Sequence, residues 1–232
     1  MKMTLRALAL LLGYPSAELQ AHVAEIRQVL RDEHALPTAA LRRLEPLLHA
    51  LETEDLLDLQ SAYSELFDRS RSLSLNLFEH VHGDSRERGQ AMIDLGEQYL
   101  RSGIFLDSSE LPDFIPVFLE YASCLPVEEG REMLAQPAHV FAALAERLDA
   151  RKTPYAGIFH AVVAAVGATP DAEALAELNE RAPSDDPASI DEEWEEAPVT
   201  FSATSTHDMG GPTGVVAKIR AARRAVTAAV KA

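Results

Sequence analysis

Apolar residues recur along this chain at three- and four-residue steps, and prolines or glycines cut the pattern at short intervals. That spacing puts them on one stripe of an α-helix, which is buried by packing helix on helix. Leu8, Leu11 and Leu12 mark a first helix stopped by Gly13-Tyr14-Pro15, and Leu19, Val23, Ile26 and Leu30 mark a second that starts at Ser16. Pro37-Thr38 opens a third, with Leu41, Leu44, Leu48 and Leu51, which Pro46 is expected to kink or split. Thr53 reads as the N-cap of a helix with Leu56, Leu59, Tyr63 and Phe67 inside. Asp84 and Glu87 have the spacing of a capping box before Met92, Leu95 and Tyr99, and Gly103 is a natural stop. Gly89 and Gly96, nearly on one face of that helix, predict close packing against another element. Further stripes follow Pro112 and Pro116 (Ile115, Leu119, Ala122, Leu125), Pro137 (Val140, Leu144, Leu148) and Pro154 (Ile158, Val162, Val166). A short helix after Pro126 and a weaker one over 171–181 complete the set.

Residues 70–78 depart from this pattern. Leu73, Leu75 and Leu77 alternate with Ser72, Ser74 and Asn76, and no second strand is present to pair with them. An extended or irregular crossing segment is expected there. The fold class is therefore all-α, a single bundle of about eight or nine helices over residues 1–182.

The 232 residues are 47% hydrophobic, enough for a sizeable core. A formal charge of −16 excludes the basic surface that nucleic acid requires and favours basic partners. Cys124 stands alone, which excludes an intramolecular disulfide and any multi-cysteine metal site and suits a reducing cytoplasm. The apolar run Ala7–Leu12 is too short for a signal sequence, and no run is long enough to span a bilayer. A cytoplasmic protein without stable membrane association is expected. Residues 183–198 hold seven acids and no base, whereas Lys218, Arg220, Arg223, Arg224 and Lys231 follow with no acid after Asp208. Residues 183–232 read as a flexible tail, acidic then basic, with an amphipathic helix at 215–230.

Chemistry concentrates in Glu79-His80-Val81-His82-Gly83-Asp84-Ser85-Arg86-Glu87-Arg88-Gly89-Gln90 and in Glu110-Leu111-Pro112-Asp113-Phe114-Ile115-Pro116. His80, His82 and Asp84 are of the types that bind a catalytic metal, which makes a metal-dependent hydrolase one reading. In an extended segment the two histidines share a face, whereas in a helix they diverge by about 200°. The other reading is a recognition surface. Glu79, Asp84, Glu110, Asp113 and Glu120 would supply negative charge, and Phe67, Phe78, Tyr99, Phe114, Phe118 and Tyr121 apolar walls, for a peptide with arginines and an apolar helix face. Arg86 and Arg88 also have an ordinary reading as partners of nearby acids.

Tyr63-Ser64-Glu65-Leu66-Phe67-Asp68, the run from Leu77 to Met92, the run from Glu110 to Glu120 and Trp194–Phe201 closely resemble the assembly chaperones of respiratory nitrate reductase, the NarJ type. The resemblance extends over most of the chain and is similar in kind to the wider redox-enzyme maturation (TorD/DmsD-like) proteins. It implies an all-helical cytoplasmic chaperone, not an enzyme, with no cofactor of its own. Such a chaperone binds the apo catalytic α subunit of nitrate reductase, including its leader-like N-terminus. It holds the subunit ready for molybdenum cofactor insertion before membrane docking, and molybdenum cofactor biosynthesis proteins join the expected partners. The resemblance further implies leader binding by the acid near the second stretch. Asp113 matches that acid, and Phe114 stands where the wider family has histidine. The expected leader-binding set is Glu79, His80, His82, Asp84, Arg86, Arg88, Glu110, Asp113, Phe114, Pro116 and Glu120, with Asp113→Lys expected to weaken binding while the fold survives.

Overall fold

The computed structural model describes residues 1–83, 85–106 and 110–181; the expected tail, with its helix at 215–230, lies outside the described residues. The architecture is all-α, with twelve helices among the described residues. They are α1 (Lys2–Leu12), α2 (Ala17–Ala21), α3 (Val23–Asp32), α4 (Thr38–Thr53), α5 (Leu56–Phe67), α6 (Leu77–His82), α7 (Glu87–Arg101), α8 (Ile115–Cys124), α9 (Val127–Ala135), α10 (Ala138–Ala150), α11 (Ala156–Val166) and α12 (Ala172–Glu180). The number exceeds the expected eight or nine for two local reasons. The second expected helix breaks at His22, whose ring Nδ1 sits 2.8 Å from the Glu18 carbonyl, the partner that its own N–H would take in a continuous helix. That N–H turns to Leu19 O instead, at 3.1 Å. The second addition is α6, which spans the end of the expected crossing segment and the start of the Glu79–Gln90 stretch, where no separate helix was counted.

α11 is apolar around most of its circumference and lies in the core against α10, α4, α1 and α9. Phe159, Ile158 and Val162 are fully buried there, each contributing roughly 1.5–3 kcal/mol through its removal from water. α1 lies along α8, with Leu5, Leu8, Leu11 and Leu12 wholly inside. Pro46 neither splits nor shortens α4, and its ring faces outward. The cap of α5 is Asp55, which accepts from Leu57 N–H at 2.9 Å. Thr53, the expected cap, is the last residue of α4 and donates its hydroxyl to His49 O. At the C-terminus of α7 the Gly103 and Ile104 amides return to Leu100 O and Tyr99 O at 2.9 and 3.0 Å, with Gly103 at φ +76°. These are the paired bonds of a Schellman stop.

Close helix approach occurs at glycines other than those expected. A Cβ on Gly157 would lie 2.3 Å from Arg43 O of α4, whereas Cβ atoms on Gly89 and Gly96 would meet nothing within 4 Å. Gly157→Ala is therefore expected to cost about 1–3 kcal/mol by overpacking. Gly96→Ala should stabilise by about 0.5–1 kcal/mol through a less flexible unfolded chain. Urea denaturation of the two variants beside wild type checks the opposite signs.

Candidate functional site

The two chemistry-rich stretches meet, and they meet at Asp113. Its carboxylate Oδ2 accepts the Phe78 N–H at 3.1 Å, and its backbone carbonyl accepts the Leu77 N–H at 2.9 Å. One residue thus satisfies two free amides at the start of α6. The Ile115 N–H donates back to Leu75 O at 2.8 Å, and Asn76 and Phe114 form an isolated antiparallel bridge. Tyr99 of α7 donates its hydroxyl to Pro112 O at 2.7 Å, and Arg88 of the same helix pairs with Glu79 of α6 at 2.9 Å. The His80 Nε2 sits 2.8 Å from Ser74 O. These bonds clasp α6, α7 and the lead-in to α8 together.

The segment before α6 is held from its other side as well. Ser70, Ser72 and Ser74 are buried. Arg147 of α10 donates to Ser72 O at 2.8 Å, and Arg151 reaches the Ser70 and Ser72 hydroxyls at 3.0 and 3.1 Å. Leucines therefore fill the core on one side of the strip while hydroxyls and carbonyls satisfy two arginines on the other. The sequence signal for this was the serine run itself, whose partners lie about seventy to eighty residues away.

Burial raises the Asp113 pKa, although the Phe78 amide and the Arg88 charge oppose the shift. Its side chain is completely inaccessible, and Oδ1 is buried without a hydrogen-bond partner. Glu79 is also pushed up by burial, but bonds from Ser74, Arg88 and Asn76 outweigh that and leave its pKa below the usual value. Burial lowers the pKa of His80, and the nearby Arg147 adds to this against the pull of the Ser74 carbonyl. The environment of Asp113 overturns the expectation that Asp113→Lys spares the fold: an ammonium placed there would be buried and would remove a helix cap. Nor does Asp113 share a helical face with Glu120, because α8 begins only at Ile115.

Among the other expected residues, Arg86, Glu110 and Glu120 are exposed, His82 and Phe114 are partly buried, and Pro116 is buried. Asp84 lies outside the described residues, and α7 starts at Glu87 with Arg86 at its N-cap and no side-chain cap bond, so the N-cap is not at Asp84. The metal reading loses its geometry. α6 is helical, which turns His80 and His82 about 200° apart, and no cluster of three ligand-type residues occurs among the described residues.

What the clasp builds is a groove of about 770 Å3 between α6, α7, α8 and α9. Phe78 and Val81 of α6, Leu95 of α7, Phe118 and Tyr121 of α8 and Met133 of α9 give it apolar walls. Asp94, Glu129 and Glu132 line it with exposed carboxylates. The sequence reading placed Phe78, Phe118 and Tyr121 near the site but missed α9. Pro116 and Glu120 line a second groove, against α1, α2 and α3.

The clasp has a pH signature. His80 is folded with a lowered pKa, so protonation favours the unfolded chain, in which the value is about 6.5. The stability this adds is complete above that unfolded value, begins to be lost as pH falls below it, and is gone once pH has passed through the lower folded value. Denaturation midpoints measured from pH 7.5 to 5 should therefore decline for wild type and decline less for His80→Asn.

A family model for the nitrate reductase delta subunit matches residues 15–161. The chain is 43% identical over 194 residues to the nitrate reductase molybdenum cofactor assembly chaperone NarJ of Escherichia coli K12, covering 83% of this chain and 82% of that protein. It is 40% identical over 168 residues to the probable assembly chaperone NarW of the same organism, covering 70% and 73%. It is also 32% identical over 161 residues to the nitrate reductase-like protein NarX of Mycobacterium tuberculosis, covering 66% of this chain and 23% of that longer protein. No helix among the described residues is long and apolar enough to cross a membrane. The all-α fold, the clasped signature stretches and these likenesses agree: the chain belongs to the nitrate reductase delta subunit family, a family of NarJ-type molybdenum cofactor assembly chaperones, not of enzymes.

Proposed function

We propose that this chain is a dedicated cytoplasmic chaperone of a membrane-bound nitrate reductase. It binds the apo catalytic α subunit through the leader-like N-terminus and holds that subunit open for molybdenum cofactor insertion before membrane docking. The observation that carries the proposal is the groove built by α6, α7, α8 and α9: aromatic and aliphatic walls, open to solvent, with three carboxylates along it. A groove of that make suits an amphipathic helix laid in by its apolar stripe, with lysines or arginines flanking the stripe. Val81 remains 46% exposed, an apolar wall left open among the described residues. The mycobacterial relative lends support, since a segment of this kind forms 23% of a protein named nitrate reductase-like.

The chemistry required of such a chaperone is selective binding. A groove that takes an unfolded or helical segment of the client loses its ligand once that segment folds into the mature subunit, so binding favours the immature form. The molybdenum cofactor belongs to the client, and molybdenum cofactor biosynthesis proteins would meet the chaperone through the client complex. Of the residues expected to touch the leader, Glu79, His80, Arg88 and Asp113 would act by shaping the groove. Phe78 and Val81 would make the contact.

Calorimetric titration with a peptide from the N-terminus of the α subunit tests this. Saturable binding is expected in wild type, with affinity falling at least tenfold, about 1.4 kcal/mol, in Val81→Arg/Glu132→Lys. Circular dichroism should show that variant folded, because both positions are exposed. Unchanged affinity would overturn the assignment of this groove.

A further inference from the structure

The second groove, of about 790 Å3, lies between α1, the α2–α3 pair and the first turns of α8. Its apolar members Met3, Leu10 and Tyr14 are 48%, 59% and 54% exposed. Leu10 stands on the outward face of the last turn of α1, and Tyr14, just past that helix, sets one edge against Tyr63 of α5 while about half of it stays open to solvent. The ionisable residues along it are Glu18, Glu25 and Glu120, with Arg6 and His22. Arg6 is already engaged, donating to Ser123 Oγ at 3.1 Å and to Cys124 Sγ at 3.7 Å. The His22 ring is held on the Glu18 carbonyl. Three carboxylates face solvent beside an apolar trough, and they outnumber the one guanidinium, Arg6, whose hydrogen-bond partners are neutral.

α8 supplies both grooves from different faces. Pro116, Val117 and Glu120 look into this one, and Phe118, Tyr121 and Leu125 into the groove built by α6. The centres of the two sets are about 130° apart around the helix, from its 3.6-residue turn. A ligand in one trough therefore does not occupy the wall of the other.

We infer that the α1–α3–α8 groove is a second, independent docking site for an amphipathic helix with a basic flank, filled at the same time as the α6–α9 groove. Charge selects the occupant. The trough is lined by carboxylates, and a second copy of this chain would bring a body of formal charge −16. A basic segment gains attraction where that copy meets repulsion. The inference rests on the helix-in-groove reading of the first site only for its consequence: two segments of one client held at once. Once one segment is bound, the second binds at the effective concentration set by the chain joining them, so avidity exceeds either single affinity.

The test uses the full chain and a synthetic peptide of about five helical turns, with leucines on one stripe and lysines on its flanks. A peptide of the same composition in scrambled order is the control. Calorimetry should give two peptides bound per wild-type chain, one in Leu10→Arg/Glu120→Lys and one in Val81→Arg/Glu132→Lys. All four substituted positions are exposed, and circular dichroism reports whether each variant folds. A stoichiometry unchanged by Leu10→Arg/Glu120→Lys overturns the inference, as does equal binding of the scrambled peptide. One site in wild type, abolished only by Val81→Arg/Glu132→Lys, overturns the second groove and leaves the proposed function standing. One site abolished only by Leu10→Arg/Glu120→Lys keeps this groove and sinks the assignment of the other.

Discussion

A buried carboxylate holds the start of one short helix, and the wall of the α6–α9 groove depends on it. Asp113 closes the first two amides of α6 with its side chain and its own carbonyl. An isolated helix of six residues is too short to be stable in water. α6 exists because something outside it satisfies its N-terminus and something else packs its inner face. Burying Asp113 completely has a desolvation cost, offset in part by the Phe78 amide and by the Arg88 charge nearby. Arg88 is in turn fixed by Glu79 on α6, so helix, cap and counter-charge form one closed arrangement. Remove any member and the others lose a partner, at full cost for Asp113, which water does not reach, and at less for the half-buried Glu79 and Arg88.

That arrangement accounts for why the chemistry-bearing residues are packed so densely into two short stretches. Glu79, His80, Arg88 and Asp113 turn inward toward the crossing strip, whereas Arg86, Glu87 and Glu110 face solvent. Phe78 and Val81 alternate with Glu79 and His80 along α6. The polar pair ties the helix to α7 and to Ser74, and the apolar pair lines the groove. A chaperone needs an open apolar surface that does not collapse on itself when empty. A clasp behind the wall is one way to hold such a surface open. α8 then serves as the shared partition, apolar around most of its length because it is walled in by α1 and α9 and lines a trough on two faces.

Much of this was legible in the sequence, and the misses have physical causes. Leu19, Val23, Ile26, Leu30, Leu44, Leu48, Tyr63, Leu95, Tyr99, Ile115 and Leu119 are all buried as their spacing required. The stop at Gly103 was also legible, because it depends on local backbone alone. What failed depended on what side chains bond to. The break at His22 needed its ring on Glu18 O, and α6 needed Asp113 at its N-terminus. Gly89 and Gly96 were open while Gly157 was crowded, since helix crossings are set by tertiary packing and not by glycine spacing. Asp113 looked like a surface acid because sequence gives its charge but not its depth. The resemblance named the family from the same residues, and in the structure Glu79, His80, Arg88 and Asp113 make their bonds behind the groove wall.

The measurement that bears most directly on this is hydrogen exchange of Asp113→Ala alongside its affinity for the client's N-terminal peptide. The account predicts that amides from Phe78 to His82 lose protection, that those of α10 and α11 keep theirs, and that peptide affinity falls in parallel. Affinity lost while α6 stays as protected as in wild type would contradict it, because Asp113 would then be a contact and not the support of the wall.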